Sequence, residues 1–374
     1  MGEGARRNKP CWCGSGRKLK HCHLDRERQA PLQLWEAGRE MRKAFSRNLC
    51  SAPADWVSDC SGKIVRAHTV PRAGSLTKIA RDGHVYAFVP SMENFEKNKG
   101  LLIPELVGIS RASTFTGFCS LHDDRIFAPV EKREFAATPE QCFLLGYRAI
   151  SRELYTKQSS ANLADFRKGA DRGKSPAVQL AIQGFNKAFD FGNEAGLKDI
   201  RYHKNRYDEV LKSGEYGDVR AYVLELEAAP SVMCSASWMP SEDFGGRQLQ
   251  NLLDLEKTPH EMTFTSFWSG GRGYVVFQWL KDDNDTCNRF VDSFRALPAE
   301  DITAALLRIM FEYFENIYIQ PDWWDSLEEA SKNLLINRMG LSTDPFAKPK
   351  QNVLAKDALD VANWALIGDK TVGY

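Results

Sequence analysis

Long apolar runs are missing from this sequence. No stretch approaches eighteen uninterrupted apolar residues, so no membrane-spanning helix is expected. An excess of charge is missing too. Fifty Lys and Arg stand against 49 Asp and Glu, a formal net charge of +1. The chain as a whole therefore has no strong pull on nucleic acid or on acidic membranes, and any such attraction has to come from a local patch. The N-terminus is polar and basic and lacks the apolar segment of a secretory signal, so the expectation is a cytoplasmic protein. No G-x-S-x-G elbow, Walker loop, H-E-x-x-H or G-x-G-x-x-G occurs, which takes ground from hydrolase, NTPase and dehydrogenase readings. No internal repeat is visible either.

What is present is cysteine, nine in 374 residues. Cys11, Cys13, Cys22, Cys50, Cys60 and Cys119 crowd into the N-terminal third. In a reducing compartment such clusters are metal ligands more often than disulfides. Cys142, Cys234 and Cys287 lie far apart and read as buried thiols without a special role. The rest is an ordinary globular mixture, 43% hydrophobic and 26% charged, long enough for two or three domains.

The expected fold class is α+β in three parts. Residues 1–30 form a small zinc knuckle, 31–135 a treble-clef-like zinc domain, and 136–374 a helical linker region with a larger α+β domain. Over residues 1–30, eight basic side chains face three acidic ones. A segment this short and polar cannot bury enough apolar surface to fold without a metal. Residues 33–47 are compatible with a helix, 85–89 with a strand, and 101–109 are apolar but broken by a proline. Thr138, Pro139 and Gln141 form a helix-start pattern, followed by an apolar stripe of Phe143, Tyr147, Ile150 and Leu154. Ser175 and Pro176 open a second long helix to about Lys212, in which Gly184, Gly192 and Gly196 permit a break. Residues 219–226 and 264–280 read as strands, the latter folded at the Ser269–Gly273 turn. Ile302, Ala305, Leu306, Ile309 and Met310 mark another amphipathic helix. The tail from about Thr343 is polar and is expected to have few anchors.

The first cluster runs C-x-C-G-S-G-x-K-x-K-x-C-H over residues 11–23. Cys11 and Cys13 form a tight knuckle, Gly14 and Gly16 allow the positive-φ turn, and Cys22 and His23 close a tetrahedron. Four protein ligands leave no open position, so this zinc is structural. The segment 9–24 resembles the SEC-C motif, the module that ends the bacterial protein-translocation motor ATPase and is appended to many other proteins. That resemblance implies a docking knob for a protein partner. A zinc knuckle with no partner is the plainer alternative.

The second cluster pairs C-x9-C, at Cys50 and Cys60, with a distant C-x2-H, at Cys119 and His122. Three sulfurs and one nitrogen again suit closed zinc. RAHTVPRAG follows the first pair, and in outline the stretch resembles the HNH, or ββα-metal, endonucleases. The resemblance implies nucleic acid as substrate, Mg²⁺ or Mn²⁺ at a catalytic site, and His68 as the base that activates water. Ala67 stands where that family has a metal-binding Asp, and Asp123 where it has Asn or His. His84, Asn94, Asn98 and Asp124 are the other candidates for the missing functions. The alternative is that His68 and His84 are structural histidines and the treble clef only binds. The stretches 61–86 and 112–131 also resemble a recurrent bacterial protein type often joined to a SEC-C module; that type has no settled function, and a role in defence against phage or mobile DNA is an expectation by analogy with scattered, multidomain bacterial proteins.

The C-terminal part offers aromatics. Trp268, Arg272, Trp323 and Trp324 form either a binding surface for a base or a peptide, or core packing around a hairpin turn. Two function classes follow. The leading one acts on nucleic acid through the second zinc region. Its rival is a non-catalytic adaptor or sensor with two structural zincs.

Overall fold

The computed structural model describes residues 7–70, 72–99, 101–343 and 351–373. The chain divides into two compact units, residues 1–46 with 157–197, and residues 47–156 with 198–374. This division differs from the expected segments 1–30, 31–135 and 136–374, because both units are assembled from separated stretches of chain.

The first unit starts with a knuckle. The Cys11 N–H donates to the Arg17 carbonyl at 2.8 Å and the Leu19 N–H to the Lys9 carbonyl at 2.9 Å. Gly14 and Gly16 take φ of 78° and 71°, the left-handed region that the turn requires. A short helix, α1 (Leu34–Ala44), follows, and the Glu36 carboxylate accepts from the Gln33 N–H at 2.9 Å at its start. Residues 157–197 complete the unit. They are held by Arg167, whose guanidinium reaches the Ser160 carbonyl at 2.8 Å and Asp190 at 2.5 Å.

The second unit is built on sheets. β1 (Ile64–His68) pairs antiparallel with β4 (Thr114–Cys119), and β4 runs straight into helix α3 (Ser120–Glu131). Between them the chain forms β2 (His84–Ala87), helix α2 (Met92–Lys97) and β3 (Glu105–Gly108). Then come β5 (Val219–Leu226), β6 (Val232–Trp238), β7 (Met262–Ser269), β8 (Arg272–Leu280), β9 (Ile317–Ile319) and β10 (Leu366–Val372). They join in one eight-stranded antiparallel sheet of order β10-β5-β8-β7-β6-β9-β2-β3. β2 and β3 thus belong to the same sheet as the C-terminal strands. Region 31–135 does not close on itself, because a short pair such as β2–β3 is stable only when it extends a larger sheet. Likewise the polar tail is anchored at β10, whose main-chain pairing with β5 asks nothing of its side chains. Residues 344–350 lie outside the described residues.

Long helices cover the sheet. α4 (Pro139–Ala161) starts where the cap pattern placed it, with the Gln141 N–H donating to Thr138 Oγ1 at 3.2 Å. α5 (Pro176–Ser213) continues for 38 residues through all three glycines, so no break occurs. On one sheet face Phe264, Phe277 and Trp238 pack with α6 (Asn284–Arg295) and α7 (Ile302–Tyr313) around Phe290, Phe294 and Phe314. Each such burial contributes roughly 1.5–3 kcal/mol. On the other face Gln278 accepts from Tyr207 Oη of α5 at 2.9 Å and from Thr263 Oγ1 at 2.9 Å. The turn between β7 and β8 is tight, with Gly270 and Gly271 at positive φ. Cys142, Cys234 and Cys287 are fully buried, in keeping with thiols that only fill space.

Gly146 of α4 sits against this polar face. A Cβ there would overlap the Gln278 amide and press on the Thr263 hydroxyl. Gly146→Ala is expected to destabilise the protein by about 1–3 kcal/mol, despite alanine's better helix propensity. Urea unfolding of the two proteins measures it. An unchanged or raised midpoint contradicts the close approach.

Candidate metal centres

Two groups of side chains converge on a point. Cys11, Cys13, Cys22 and His23 place their donor atoms within 4.8 Å of one another, and Cys50, Cys60, Cys119 and His122 do the same. Around tetrahedral zinc, two sulfurs stand about 3.8 Å apart and a sulfur and a nitrogen about 3.6 Å. In the first centre Cys13 and Cys22 sulfurs are 3.6 Å apart, and His23 Nδ1 lies 3.2 Å from Cys11 Sγ and 3.1 Å from Cys22 Sγ. In the second, His122 Nδ1 lies 3.4, 3.5 and 3.3 Å from the sulfurs of Cys50, Cys60 and Cys119. These separations are the edges of a metal-sized tetrahedron, and no disulfide links any of the cysteines. The soft Cys₃His donor set can hold zinc at both places.

Crowded sulfurs show what a cation relieves. Burial works to raise the Cys119 thiol, but N–H donation from His122 and Ser61 outweighs it and brings it down to about 6. Cys60 is pushed up to about 12, first by burial and then by the neighbouring sulfurs of Cys50 and Cys119. A divalent ion stabilises all three as thiolates.

The surroundings of the two centres differ. His23 turns its other nitrogen, Nε2, to the buried carboxylate of Asp171 at 2.7 Å. Asp171 also accepts from Arg26 Nε at 2.5 Å and Gln183 Nε2 at 2.8 Å. Burial works to raise its pKa, but these donors prevail and hold it below the usual carboxylate value. The imidazole is thereby fixed with Nδ1 toward the sulfurs. Sequence reading missed Asp171, because nothing in residues 170–174 marks it and it lies 148 positions from its partner.

The second centre is built where the β1–β4 hairpin meets α3. Cys119 ends β4 and His122 occupies the first turn of α3. The Cys119 N–H donates to Cys50 Sγ at 3.4 Å, and the Leu49 and Ser51 N–H groups donate to β4 carbonyls. Trp56 lies over His122 with ring centroids 6.1 Å apart, as Trp12 lies against His23 at 4.5 Å. Beneath Ser51, Tyr147 Oη donates to its carbonyl, and the buried Lys204 ammonium reaches Tyr147 Oη at 3.0 Å and Asp208 at 2.5 Å.

The candidate catalytic residues are not gathered. Among the described residues the two Cys₃His sets are the only groups of three or more metal-binding side chains. His68 ends β1 and lines a cleft of about 750 Å³ together with Lys78, Glu131, Arg133 and Trp268. His84 and Asp123 do not line that cleft. His84 is exposed on β2, with Nδ1 at 2.8 Å from the Asp82 carbonyl. Asp123 faces Arg148 at 3.9 Å, and burial raises its pKa against the pull of that guanidinium. Arg148 itself is bound by Glu131 at 2.6 Å and lies over the Phe127 ring. Asp124 pairs with Lys132 at 2.5 Å on the surface. Asn94 is a brace: its amide holds the Ile103 main chain and the Asn98 side chain. Trp324 is buried against Phe311, Trp323 packs on the same core, and Arg272 is exposed near Glu225, so of the three tryptophans singled out Trp268 alone lines the cleft, next to Phe267.

The SEC-C motif matches residues 7–25 of this chain, the segment that carries the whole first ligand set. No curated protein and no solved structure shows detectable similarity to the chain. No helix among the described residues is long and apolar enough to cross a membrane.

Metal analysis of the purified protein is expected to give two zinc ions per chain. Asp171→Ala should weaken the first centre about 10- to 100-fold in competition with a chromophoric chelator and leave the second unchanged. Equal affinity of both centres in the variant contradicts a supporting role for Asp171.

Proposed function

We propose that this protein binds nucleic acid in the cleft beside His68, and that the second zinc centre is the treble-clef scaffold of a divergent HNH-type endonuclease. The observation that carries this reading is the ββα arrangement. β1 and β4 form the hairpin, the end of β4 and the first turn of α3 supply one ligand each, Cys119 and His122, and His68 stands at the strand end where the cleft opens. Lys78 and Arg133 on the cleft wall suit phosphate, and Trp268, with the Lys78 ammonium 5.6 Å from its ring, suits a base. His68 is the candidate base, and Glu131 is the carboxylate nearest to its cleft. Mg²⁺ or Mn²⁺, shared with substrate phosphates, would supply charge stabilisation at the leaving oxygen. His84 and Asp123 have lesser claims, since they face other surroundings. Reduced cysteines at both centres fit a cytoplasmic protein, and analogy with scattered, multidomain bacterial defence proteins suggests phage or mobile DNA as the substrate.

A second reading is favoured by one observation. Asp123 lies away from the cleft, 3.9 Å from Arg148, and among the described residues no third set of metal-binding side chains converges. That fits a non-catalytic adaptor or sensor, with the SEC-C segment docking a protein partner and both zincs structural.

Plasmid DNA and RNA incubated with the protein and Mg²⁺ or Mn²⁺ separate the two. Cleavage reduced about 10²- to 10⁴-fold by His68→Ala, with zinc content intact, is the result expected of the nuclease. Cleavage that is absent, or equal in both proteins, leaves the adaptor.

A further inference from the structure

A second cleft, of about 480 Å³, lies within the first unit against its zinc centre. One wall is the knuckle, with Gly14, Ser15, Arg17 and Arg26. The other wall comes from residues 165–190 and carries Lys168, Arg172 and Lys187 beside Asp165 and Asp190. The pairing of these charges is uneven. Arg26 is committed to Asp171 at 2.5 Å, Lys168 to Asp165 at 2.9 Å, and Asp190 is taken by Arg167 at 2.5 Å. Arg172 donates Nε–H to the Gly169 carbonyl at 3.3 Å, and its carboxylate partner, Glu36, is loose at 3.9 Å. Among the described residues neither Arg17 nor Lys187 forms a salt bridge, yet both line the cleft. The Lys187 ammonium leans over the knuckle, 3.3 Å from where a Cβ on Gly14 would stand. A Cys₃His zinc centre carries one net negative charge, which offsets one of these cations and leaves the other.

We propose that this cleft binds the phosphate of a nucleotide, held between Arg17 on the knuckle and Lys187 on α5, with Arg172 at the rim. A guanidinium fork and an ammonium point charge on opposite walls complement a phosphate's oxygens. The volume suits a ligand of nucleotide size. This inference does not rest on the His68 cleft, which lies in the other unit, and its variants leave His68 untouched.

The test uses the full-length, zinc-loaded protein and a fluorescent single-stranded oligonucleotide, with adenosine monophosphate and a poly-glutamate peptide as competitors. Arg17→Ala with Lys187→Ala should weaken oligonucleotide binding about tenfold or more. The slope of log affinity on log salt should become shallower by about one and a half. Zinc content reports that the knuckle is intact, and Arg17→Lys, which keeps the charge and loses the fork, should bind between wild type and Arg17→Ala. Displacement by the mononucleotide places the phosphate on a free nucleotide, and binding without such displacement places it within a strand. Three outcomes overturn the proposal: no binding of either nucleotide ligand, unchanged affinity in the double variant, or displacement by the acidic peptide as effective as by nucleotide.

Discussion

Three thiolates and one imidazole within a few ångströms repel one another unless a cation sits among them, and the first unit depends on that attraction. Its knuckle is polar and basic, and none of its side chains reaches a large apolar core. The sulfurs of Cys11, Cys13 and Cys22 are pulled to a point by nothing that the main-chain hydrogen bonds alone supply. A structural zinc contributes folding free energy of about 10–16 kcal/mol in small peptides at neutral pH, more than the stability of many whole domains. That is enough to order two turns of chain and the salt-bridged segment leaned against them.

The second centre solves a different problem. The β1–β4 hairpin is a two-stranded sheet, marginal by itself. The centre ties it at one end to the loop carrying Cys50 and Cys60 and to the first turn of α3. At the other end of the hairpin His68 lines the cleft, and the next residue, Thr69, donates its N–H to the Ser113 carbonyl at 2.8 Å. The 45 residues between these two strands are not a loop in the ordinary sense. They carry β2 and β3 out to the edge of the eight-stranded sheet, so the hairpin has the Cys₃His cluster at one end and the large core at the other.

Both ligand sets were legible in the sequence because a zinc site writes its donors at short, fixed spacing. The starts of α4 and α5, the apolar stripe of α7 and the β7–β8 hairpin were legible for a similar reason: caps, periodicity and turn glycines are local signals. What escaped was set by partners far along the chain. Asp171 has no local signature and is defined only by the His23 ring that meets it. β2 looks like a strand of a small zinc domain until β9 pairs with it. β10 is polar and mostly exposed, and its strand is made by the main chain of β5. Asn94 and Asn98 looked like spare catalytic groups, but their amides are consumed in bracing the turn before β3.

The two centres also differ in what their outer partners do with charge. At the first, a carboxylate receives the histidine N–H and is itself held by Arg26 and Gln183, so the negative charge is spread over a buried network. At the second, the buried Lys204 ammonium sits below the Cys50 loop. Burial works to lower its pKa, and the pull of Asp208 and of the Cys50 sulfur opposes that. A positive charge kept there stabilises thiolates at short range, while Tyr147 ties the same network to the Ser51 carbonyl. Helix α5 is thereby coupled to a ligand loop more than 150 residues earlier in the chain. A change in that helix would be felt in the loop between Cys50 and Cys60, which it meets through Lys204 near Cys50 and through Lys212, 3.0 Å from Asp55.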